Sequence, residues 1–186
     1  MFGHNEIVGQ RSFPDNDRLQ VTSVFLTMQG EGPYSGLTAI FVRLSKCNLA
    51  CSFCDTYFDA GDWFTFDDLE AHIDELISSQ NVLREDLVLI ITGGEPMLQK
   101  ALVPFLHRQE KKWRAVQIES NGIVVQPIPD FVTLVVSPKC LESKGVAQRY
   151  IRPNLKMLAR ANNLKFVMEQ SEASPYSEVP DWALEW

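Results

Sequence analysis

The sequence lacks several features that mark common classes of protein. No apolar run approaches the roughly 20 residues that a membrane-spanning helix requires. The first ten residues are polar with isolated apolar positions and do not resemble a signal peptide. Acidic residues outnumber basic ones, 24 to 17, and the formal net charge of −7 argues against a general nucleic-acid binder. We therefore expect a cytoplasmic protein in a reducing compartment, with no membrane and no direct nucleic-acid partner.

Cysteine and histidine are also scarce, with four and three residues, but three of the cysteines lie together. Cys47, Cys51 and Cys54 have the spacing C-x3-C-x2-C and directly follow an apolar run that predicts a buried strand. A four-iron four-sulfur cluster normally takes four cysteine ligands. Three ligands would leave one iron open to a group from outside the protein. An iron with an open position can take part in a reaction. The triplet therefore indicates an enzyme.

Other interpretations of the triplet stay open on spacing alone. A structural zinc site would need a fourth ligand, and the nearest downstream histidine, His72, lies in a predicted helix. A disulfide framework is a poor explanation, because the fourth cysteine, Cys140, is distant and no secretion signal is seen. A chance grouping of small buried cysteines is the third alternative.

The chain of 186 residues, 45% of them hydrophobic, is predicted to form one globular domain. Apolar runs typical of strands alternate with segments of helical spacing, which indicates an α/β fold with a mainly parallel sheet. We predict strands at 20–27, 38–44, 87–91, 115–118, 131–136 and 164–168, and helices at 66–79, 97–109 and 154–162, with Thr65 as a helix cap. The segment 122–130 is short for a crossover helix. The strands are too few for a closed eight-stranded barrel, so we expect a partial barrel or an open sheet.

Four consecutive predicted strands each end in a polar or glycine-rich motif. These are the cysteine loop, Thr92-Gly93-Gly94-Glu95-Pro96, Glu119-Ser120-Asn121-Gly122 and Ser137-Pro138-Lys139. The carboxyl ends of parallel strands share one mouth, where ligands bind. We therefore expect the four motifs to surround one site.

Each motif also has a plainer interpretation. Gly93–Gly94 offers bare backbone that a ligand or cluster can approach closely, but also makes a good turn before a helix. Glu95 can accept hydrogen bonds from a bound ligand. Ser120 and Asn121 suit ribose hydroxyls or a carboxylate, although Asn-Gly is an ordinary turn signal. Lys139 either contacts a carboxylate or is a solvated surface charge.

The cysteine loop after one strand and Gly-Gly-Glu-Pro after the next together resemble the radical S-adenosylmethionine enzymes. The resemblance implies a partial parallel β/α barrel, with Cys47, Cys51 and Cys54 holding a 4Fe-4S cluster. It implies that S-adenosylmethionine chelates the fourth iron and is cleaved to a 5′-deoxyadenosyl radical that abstracts hydrogen from substrate. Phe53 stands at the aromatic position that is usual before the last cysteine.

Further motifs resemble the 7-carboxy-7-deazaguanine synthase family. They are Gln29-Gly30-Glu31-Gly32, Phe41-Val42-Arg43, Cys54-Asp55-Thr56, Glu119-Ser120-Asn121-Gly122 and Ser137-Pro138-Lys139, and the likeness continues through Lys165-Phe166-Val167. The family converts 6-carboxy-5,6,7,8-tetrahydropterin into 7-carboxy-7-deazaguanine by ring contraction with loss of ammonia. This carbon–nitrogen lyase reaction leads to deazapurines such as queuosine.

Site residues follow from the motifs and from the resemblance. Expected substrate contacts are Met28, Gln29, Gly30, Glu31, Arg43 and Thr92. Expected S-adenosylmethionine contacts are Phe53, Cys54, Asp55, Gly93, Gly94, Glu95, Ser120, Asn121, Ser137, Pro138 and Lys139. The resemblance also implies that Thr56 ligates magnesium, and it leaves Cys140 as a small buried residue without a ligand role.

Three of these residues have alternatives that involve no ligand. The Thr56 hydroxyl would bond its own backbone in a turn. Arg43, in an otherwise apolar strand, would form a salt bridge with a buried acidic residue. Glu31 would be an ordinary turn residue.

The expected organisation is a single domain over 1–186, with a substrate-contacting strand and loop at 1–37, the partial barrel at 38–170 and a tail at 171–186. The family, as the resemblance presents it, continues through at least one more strand. Tyr176, Trp182 and Trp186 stand there instead. The chain is therefore either naturally minimal or truncated, and shortened at its C-terminus.

Two other functions are compatible with the cysteine loop. One is a glycyl-radical activating enzyme, which would not be expected to carry Gln29-Gly30-Glu31-Gly32 or Cys-Asp-Thr. The other is a truncated, non-catalytic protein that retains its cluster. For the deazaguanine synthase interpretation, the expected partners are a pterin substrate, a flavodoxin-like or other electron donor, and a second copy of the chain in a homodimer.

Overall fold

The computed structural model describes residues 7–9, 13 and 17–186, so the expectation for the polar first ten residues lies largely outside the described residues. The strands are β1 (Arg18–Met28), β2 (Thr38–Leu44), β3 (Asp62–Thr65), β4 (Val88–Gly93), β5 (Ala115–Ser120), β6 (Val132–Val136), β7 (Cys140–Ser143), β8 (Val146–Tyr150) and β9 (Asn163–Leu164). The helices are α1 (Phe66–Ser79), α2 (Leu102–Arg108), α3 (Leu155–Arg160) and α4 (Asp181–Leu184). Over the described ranges, every helix is too short or too polar to cross a membrane.

Seven of the strands form one sheet, in the order β3-β1-β2-β4-β5-β6-β9. The strands from β2 to β9 in this order run parallel, while β1 and β3 are antiparallel to their neighbours. Parallel strands share a direction, so the carboxyl ends of β2, β4, β5 and β6 lie at one edge. Within the described residues β3 and β9 are the two outer strands, and the barrel is not closed. The prediction of a partial parallel barrel is confirmed.

Both faces of the central strands are covered, as their nearly unbroken apolar sequences predict. One face packs with α1 and α2 in the main core. The other face carries a smaller apolar cluster against which Tyr34 and Leu37 pack. The Tyr34 hydroxyl also shares a hydrogen bond of 2.8 Å with the hydroxyl of Thr133 on β6. The segment between β1 and β2 therefore lies across the inner face of the partial barrel.

Elements with a clear local signal are where the sequence predicts them. β2 and α1 have the predicted bounds, and Thr65 caps α1 by accepting a hydrogen bond of 3.1 Å from the Asp68 amide. The segment 122–130, described throughout, contains no helix although β5 and β6 are parallel neighbours. The segment is thus too short for a crossover helix, in agreement with its length in the sequence.

The helix predicted over 97–109 is wrong in its first part. A 3-10 turn at Pro96–Leu98 is separated from α2 by Gln99, which has an extended backbone. The Gln99 side chain accepts a hydrogen bond from the Gln20 amide at 2.8 Å and donates to the carbonyl oxygens of Gln20 and Ser45 at 2.9 and 3.3 Å. This tertiary contact with β1 and β2 outweighs the local helical pattern.

The last strand is shorter than predicted, and three strands were not predicted. β9 covers only Asn163–Leu164, because the chain leaves the sheet after Lys165 and turns toward the strand ends. The missed strands are β3, on the sheet edge, and the antiparallel pair β7–β8 that follows β6. These strands are short and largely exposed, so their sequences carry little apolar alternation.

Candidate active site

A cavity of about 760 Å³ lies at the carboxyl ends of β2, β4, β5 and β6. Residues from all four strand-end motifs line it, so the predicted convergence is confirmed. The predicted site residues in its wall are Gln29, Gly30, Glu31, Arg43, Cys47, Cys51, Phe53, Cys54, Asp55, Thr56, Thr92, Gly93, Gly94, Glu95, Ser120, Asn121, Ser137 and Lys139. Met28 and Pro138 do not line the cavity, and Met28 is 63% exposed.

The three clustered cysteines are free thiols on one loop that faces this cavity. The backbone N–H of Leu49 points at Cys47 Sγ, 3.4 Å away, and Cys54 Sγ donates to the Thr56 carbonyl oxygen at 3.4 Å. Burial raises the pKa of Cys47 to about 12 and that of Cys51 to about 11. These thiols are therefore protonated in the free protein, and a metal must displace their protons to bind.

The donor set fits a cluster held by three protein ligands. Cys47, Cys51 and Cys54 line the cavity, whereas Cys140 is buried outside it, as predicted. In the part of the chain that the structure describes, no three histidine, cysteine or carboxylate side chains lie close enough together to hold a single metal ion. The thiolates of an iron–sulfur cluster bind different irons, so they need not converge on a single point.

The end of β4 interlocks with the start of the cysteine loop through backbone contacts. The Gly94 amide donates to the Leu44 carbonyl oxygen at 2.9 Å, and the Glu95 amide donates to the Lys46 carbonyl oxygen at 2.8 Å. A Cβ atom added to Gly94 would lie 1.8 Å from the Lys46 oxygen. The glycines thus leave room for the backbone of the cysteine loop, in addition to bordering the cavity as predicted.

Glu95 connects this interlock to the end of β5. Its side chain is only 1% exposed, and Oε1 accepts hydrogen bonds from Ser120 Oγ at 2.8 Å and from the Met97 amide at 3.0 Å. Oε2 accepts from the Asn121 amide at 2.7 Å, and Asn121 Nδ2 donates to Asn48 Oδ1 in the cysteine loop at 2.8 Å. Burial raises the pKa of the Glu95 carboxyl, against the effect of these donors. Glu95, Ser120 and Asn121 therefore hold three strand ends together.

Lys139 turns inward at the end of β6. Its ammonium group donates to the carbonyl oxygen and to Oγ of Ser137, at 2.9 and 2.5 Å. Burial lowers the pKa of Lys139. The alternative of a solvated surface lysine is wrong, because the ammonium group is bound to Ser137 and largely removed from solvent.

Arg43, which lines the cavity at the end of β2, packs against an aromatic ring. Its guanidinium carbon lies 5.0 Å from the ring centre of Phe25 on β1, and Phe25 stacks on Phe41 with ring centres 5.3 Å apart. Among the described residues no acidic side chain forms an ion pair with Arg43, so the predicted alternative of a salt bridge is not found there. Phe25 was missed by the sequence analysis, because its contact with Arg43 depends on the antiparallel pairing of β1 with β2.

A charged network that was not selected from the sequence crosses the mouth of the cavity. Lys165 Nζ lies 2.6 Å from a carboxylate oxygen of Glu119 and 2.7 Å from one of Glu31, so Glu31 is more than a turn residue. Burial lowers the pKa of Lys165, but the two carboxylates raise it by more. Glu119 also accepts a hydrogen bond of 3.2 Å from Gln29 Nε2. The position of Glu119 and Lys165 at strand ends is the signal that would have identified them.

Fold and site together define a radical S-adenosylmethionine protein. The family model described as Radical SAM superfamily matches residues 42–137, from within β2 to just past the end of β6. The match includes the cysteine loop, the motifs Thr92–Pro96 and Glu119–Gly122, and the first residue of the fourth motif, Ser137. A 4Fe-4S cluster and S-adenosylmethionine are implied by this superfamily.

Whole-chain comparisons identify the family within that superfamily. The 7-carboxy-7-deazaguanine synthase of Rickettsia prowazekii is 38% identical over 186 residues, which cover 97% of this chain and 74% of that protein. The synthase of Rhodospirillum rubrum is 34% identical over 97% of this chain and 71% of its own length. The crystal structure of QueE from Escherichia coli has a TM-score of 0.62 and 26% identity, covering 86% of this chain and 74% of that one. The chain belongs to the 7-carboxy-7-deazaguanine synthase family, which decides against a glycyl-radical activating enzyme.

Substitution of Gly94 tests the interlock between β4 and the cysteine loop. We expect Gly94→Ala to lose its cluster after anaerobic reconstitution and to unfold at lower temperature, because its Cβ would collide with the Lys46 backbone. Gly9→Ala is the matched control, since a Cβ there meets nothing within 4 Å. The measurements are iron content and thermal unfolding. Equal iron content in the two variants would contradict the interlock.

Proposed function

We propose that the protein converts 6-carboxy-5,6,7,8-tetrahydropterin into 7-carboxy-7-deazaguanine, with ring contraction and loss of ammonia, on the route to deazapurines such as queuosine. Membership of the synthase family supports this reaction. The observation in the structure that supports it best is the position of Arg43 in the cavity wall. Substrate and product both carry a carboxylate, which a guanidinium group binds through two parallel hydrogen bonds.

The surroundings of Arg43 suit this task. The residue lies on the inner face of β2, next to Thr92 of β4 in the sheet register, and both line the cavity. The ring of Phe25 restricts the guanidinium without using its hydrogen-bond donors. Because no ion pair with Arg43 is found in the described ranges, the substrate carboxylate would supply the opposite charge.

The polar groups beside Arg43 would hold the pterin ring. Gln29 and Glu31 line the cavity at the start of the segment that crosses the barrel, and both are tied to Glu119, Gln29 directly and Glu31 through Lys165. A pterin presents ring N–H and amino donors that carboxylate and amide oxygens accept. Glu119 is thus an added candidate for substrate contact.

The cysteine loop and the strand ends would hold the cofactors. Cys47, Cys51 and Cys54 would bind the 4Fe-4S cluster, with S-adenosylmethionine at its open iron. Bound there, S-adenosylmethionine would, on reductive cleavage, supply a 5′-deoxyadenosyl radical for hydrogen abstraction from the substrate. The inward-facing ammonium of Lys139 would offer a positive charge to the cofactor carboxylate. Phe53, which also lines the cavity, would contact the cofactor.

A magnesium ion at Thr56 is part of the same proposal. The Thr56 hydroxyl donates to Asp55 Oδ1 at 3.0 Å, and both residues line the cavity. Thr56 therefore bonds a neighbouring carboxylate, which brings two hard oxygen ligands together. Magnesium commonly takes few protein ligands and fills its other positions with water and substrate oxygen.

An external electron donor, flavodoxin-like or of another kind, and a homodimer complete the proposal. Their support is the family resemblance alone.

The direct test is turnover of the pterin by anaerobically reconstituted protein, with the product identified by mass. We expect 7-carboxy-7-deazaguanine and 5′-deoxyadenosine from the unaltered chain and from Cys140→Ala, and neither from Cys47→Ala. Cys140→Ala is the matched control because its thiol does not line the cavity. Cluster assembly with S-adenosylmethionine cleavage but no deazaguanine would reject the proposed reaction. Bound cluster without any cleavage would indicate a non-catalytic protein.

Arg43→Lys tests the carboxylate site. We expect kcat/KM for the pterin to fall by about 10–100-fold, since a charge-assisted bidentate pair contributes about 1.5–3 kcal/mol. Phe25→Leu should lower it by about threefold, through loss of the guanidinium–ring contact. Phe131→Leu, at an exposed phenylalanine outside the cavity, is the control. S-adenosylmethionine cleavage without pterin should not change in any variant, and a loss there equal to the loss of turnover would contradict this role.

Paired substitutions at Thr56 test magnesium binding. We expect magnesium to raise the turnover rate of the unaltered chain and of Thr56→Ser, which keeps the hydroxyl. Thr56→Ala should no longer respond, because the ion loses a protein ligand. Titration of turnover against magnesium concentration makes the comparison. If Thr56→Ala responded to magnesium as the unaltered chain does, Thr56 would not be a magnesium ligand.

A further inference from the structure

The chain that follows β9 returns to the outer side of the cysteine loop and buries one aromatic residue there. Tyr176 lies in the 3-10 turn Pro175–Ser177 and is only 2% exposed. The Glu169 amide donates to its carbonyl oxygen at 3.0 Å, and Ser174 Oγ accepts from its amide at 3.2 Å. Tyr176 is therefore fixed in place by its own segment, outside the 760 Å³ cavity.

The Tyr176 side chain joins three parts of the molecule. Its ring packs edge-on against Phe53 of the cysteine loop, with ring centres 5.2 Å apart and planes at 86°. It makes a second edge contact with Tyr150 of β8, at 5.5 Å and 82°. Its hydroxyl accepts a hydrogen bond of 2.8 Å from the Cys140 amide at the start of β7. One buried residue thus ties the loop to both strands of the β7–β8 pair.

The same pair of strands holds the loop at a second point. Glu142 of β7 accepts a hydrogen bond of 2.8 Å from the backbone amide of Ser52. Ser52 and Phe53 are the two residues between the ligands Cys51 and Cys54. Both are therefore held from outside the cavity, by Glu142 and by Tyr176 respectively.

The remaining ligand, Cys47, depends on other contacts. It follows Lys46, whose carbonyl oxygen accepts the Glu95 amide at the end of β4. The described contacts therefore divide the loop into two halves. The strand ends and the Val8 amide, which donates to the Cys47 carbonyl oxygen at 2.8 Å, fix the first ligand. The β7–β8 pair and the segment after β9 fix the second and third.

We propose that Tyr176 is a positioning residue for the iron–sulfur cluster, acting through Phe53 to set the geometry of Cys51 and Cys54. The inference rests on the cluster that the superfamily implies and is independent of the pterin as substrate. Edge-on aromatic pairs have a preferred geometry, so this contact restricts the orientation of Phe53 and of the backbone on either side.

The first test measures how fast a chelator removes iron from anaerobically reconstituted protein. We expect Tyr176→Ala to lose iron about tenfold faster, the order of magnitude of an edge-on aromatic contact. Phe53→Ala should lose iron at a similar rate. The variant with both substitutions should lose iron no faster than either single variant, because both substitutions break the same contact. Tyr176→Phe keeps the ring and should stay within about threefold of the unaltered chain. Tyr176→Leu preserves apolar volume and replaces Tyr176→Ala if that variant fails to fold.

Trp186→Ala is the matched control on the same segment. Trp186 Nε1 donates to the Leu158 carbonyl oxygen at 3.1 Å and has no described contact with the cysteine loop. Its rate of iron loss should equal that of the unaltered chain. The proposal would be overturned if the double variant lost iron at a rate that multiplies the effects of the two single substitutions. It would also be overturned if Trp186→Ala lost iron as fast as Tyr176→Ala.

The second test uses iron-free protein and does not depend on activity. Alkylation followed by mass spectrometry gives the labelling rate of each thiol. Tyr176→Ala should raise the rates of Cys51 and Cys54 relative to that of Cys47. A uniform rise in all three would indicate general loosening of the structure and would overturn the positioning role. Failure of the pterin assay would reject the substrate and leave both of these results intact.

Discussion

The backbone interlock between the end of β4 and the start of the cysteine loop is the contact on which the site depends. Two amide-to-carbonyl hydrogen bonds, from Gly94 to Leu44 and from Glu95 to Lys46, join adjacent parallel strands beyond their regular pairing. The approach is so close that residue 94 must be glycine. The Glu95 amide takes part in this contact, so the contact also fixes the position of the Glu95 carboxylate. That carboxylate accepts hydrogen bonds from Ser120 and from the Asn121 amide.

The cavity has two sides that suit different ligands, the cofactors on one and the substrate on the other. Its strand-end side carries backbone groups and buried polar residues that hold Cys47, the first of the three proposed cluster ligands. Its inner-barrel side carries Arg43 over Phe25 and the network of Lys165 with two carboxylates, which suit a polar substrate that bears a carboxylate. Cys51 and Cys54, the other two proposed ligands, are supported from outside the cavity, through Phe53 and Tyr176. Cofactor and substrate would thus meet between elements that are fixed independently.

The sequence predicts well those features whose causes are local. β2 follows from an apolar run and α1 from helical spacing with a cap at Thr65. Convergence at one mouth follows from parallel strands. The role of Gly94 was predicted only in part, since the sequence shows that a side chain is absent but not which neighbour fills the space. Phe25 and Tyr176 could not be selected, because each acts through a contact between segments distant in sequence.

We expect the strand-end interlock to form before any cofactor binds. Amide hydrogen exchange of the iron-free protein tests it directly, because exchange reports the opening of individual hydrogen bonds. The amides of Gly94, Glu95 and Asn121 should exchange within about tenfold of the slowest amides in the core strands. If these amides exchange as fast as that of Lys144, in the exposed turn between β7 and β8, the interlock forms only with the cluster and is not the contact on which the site depends.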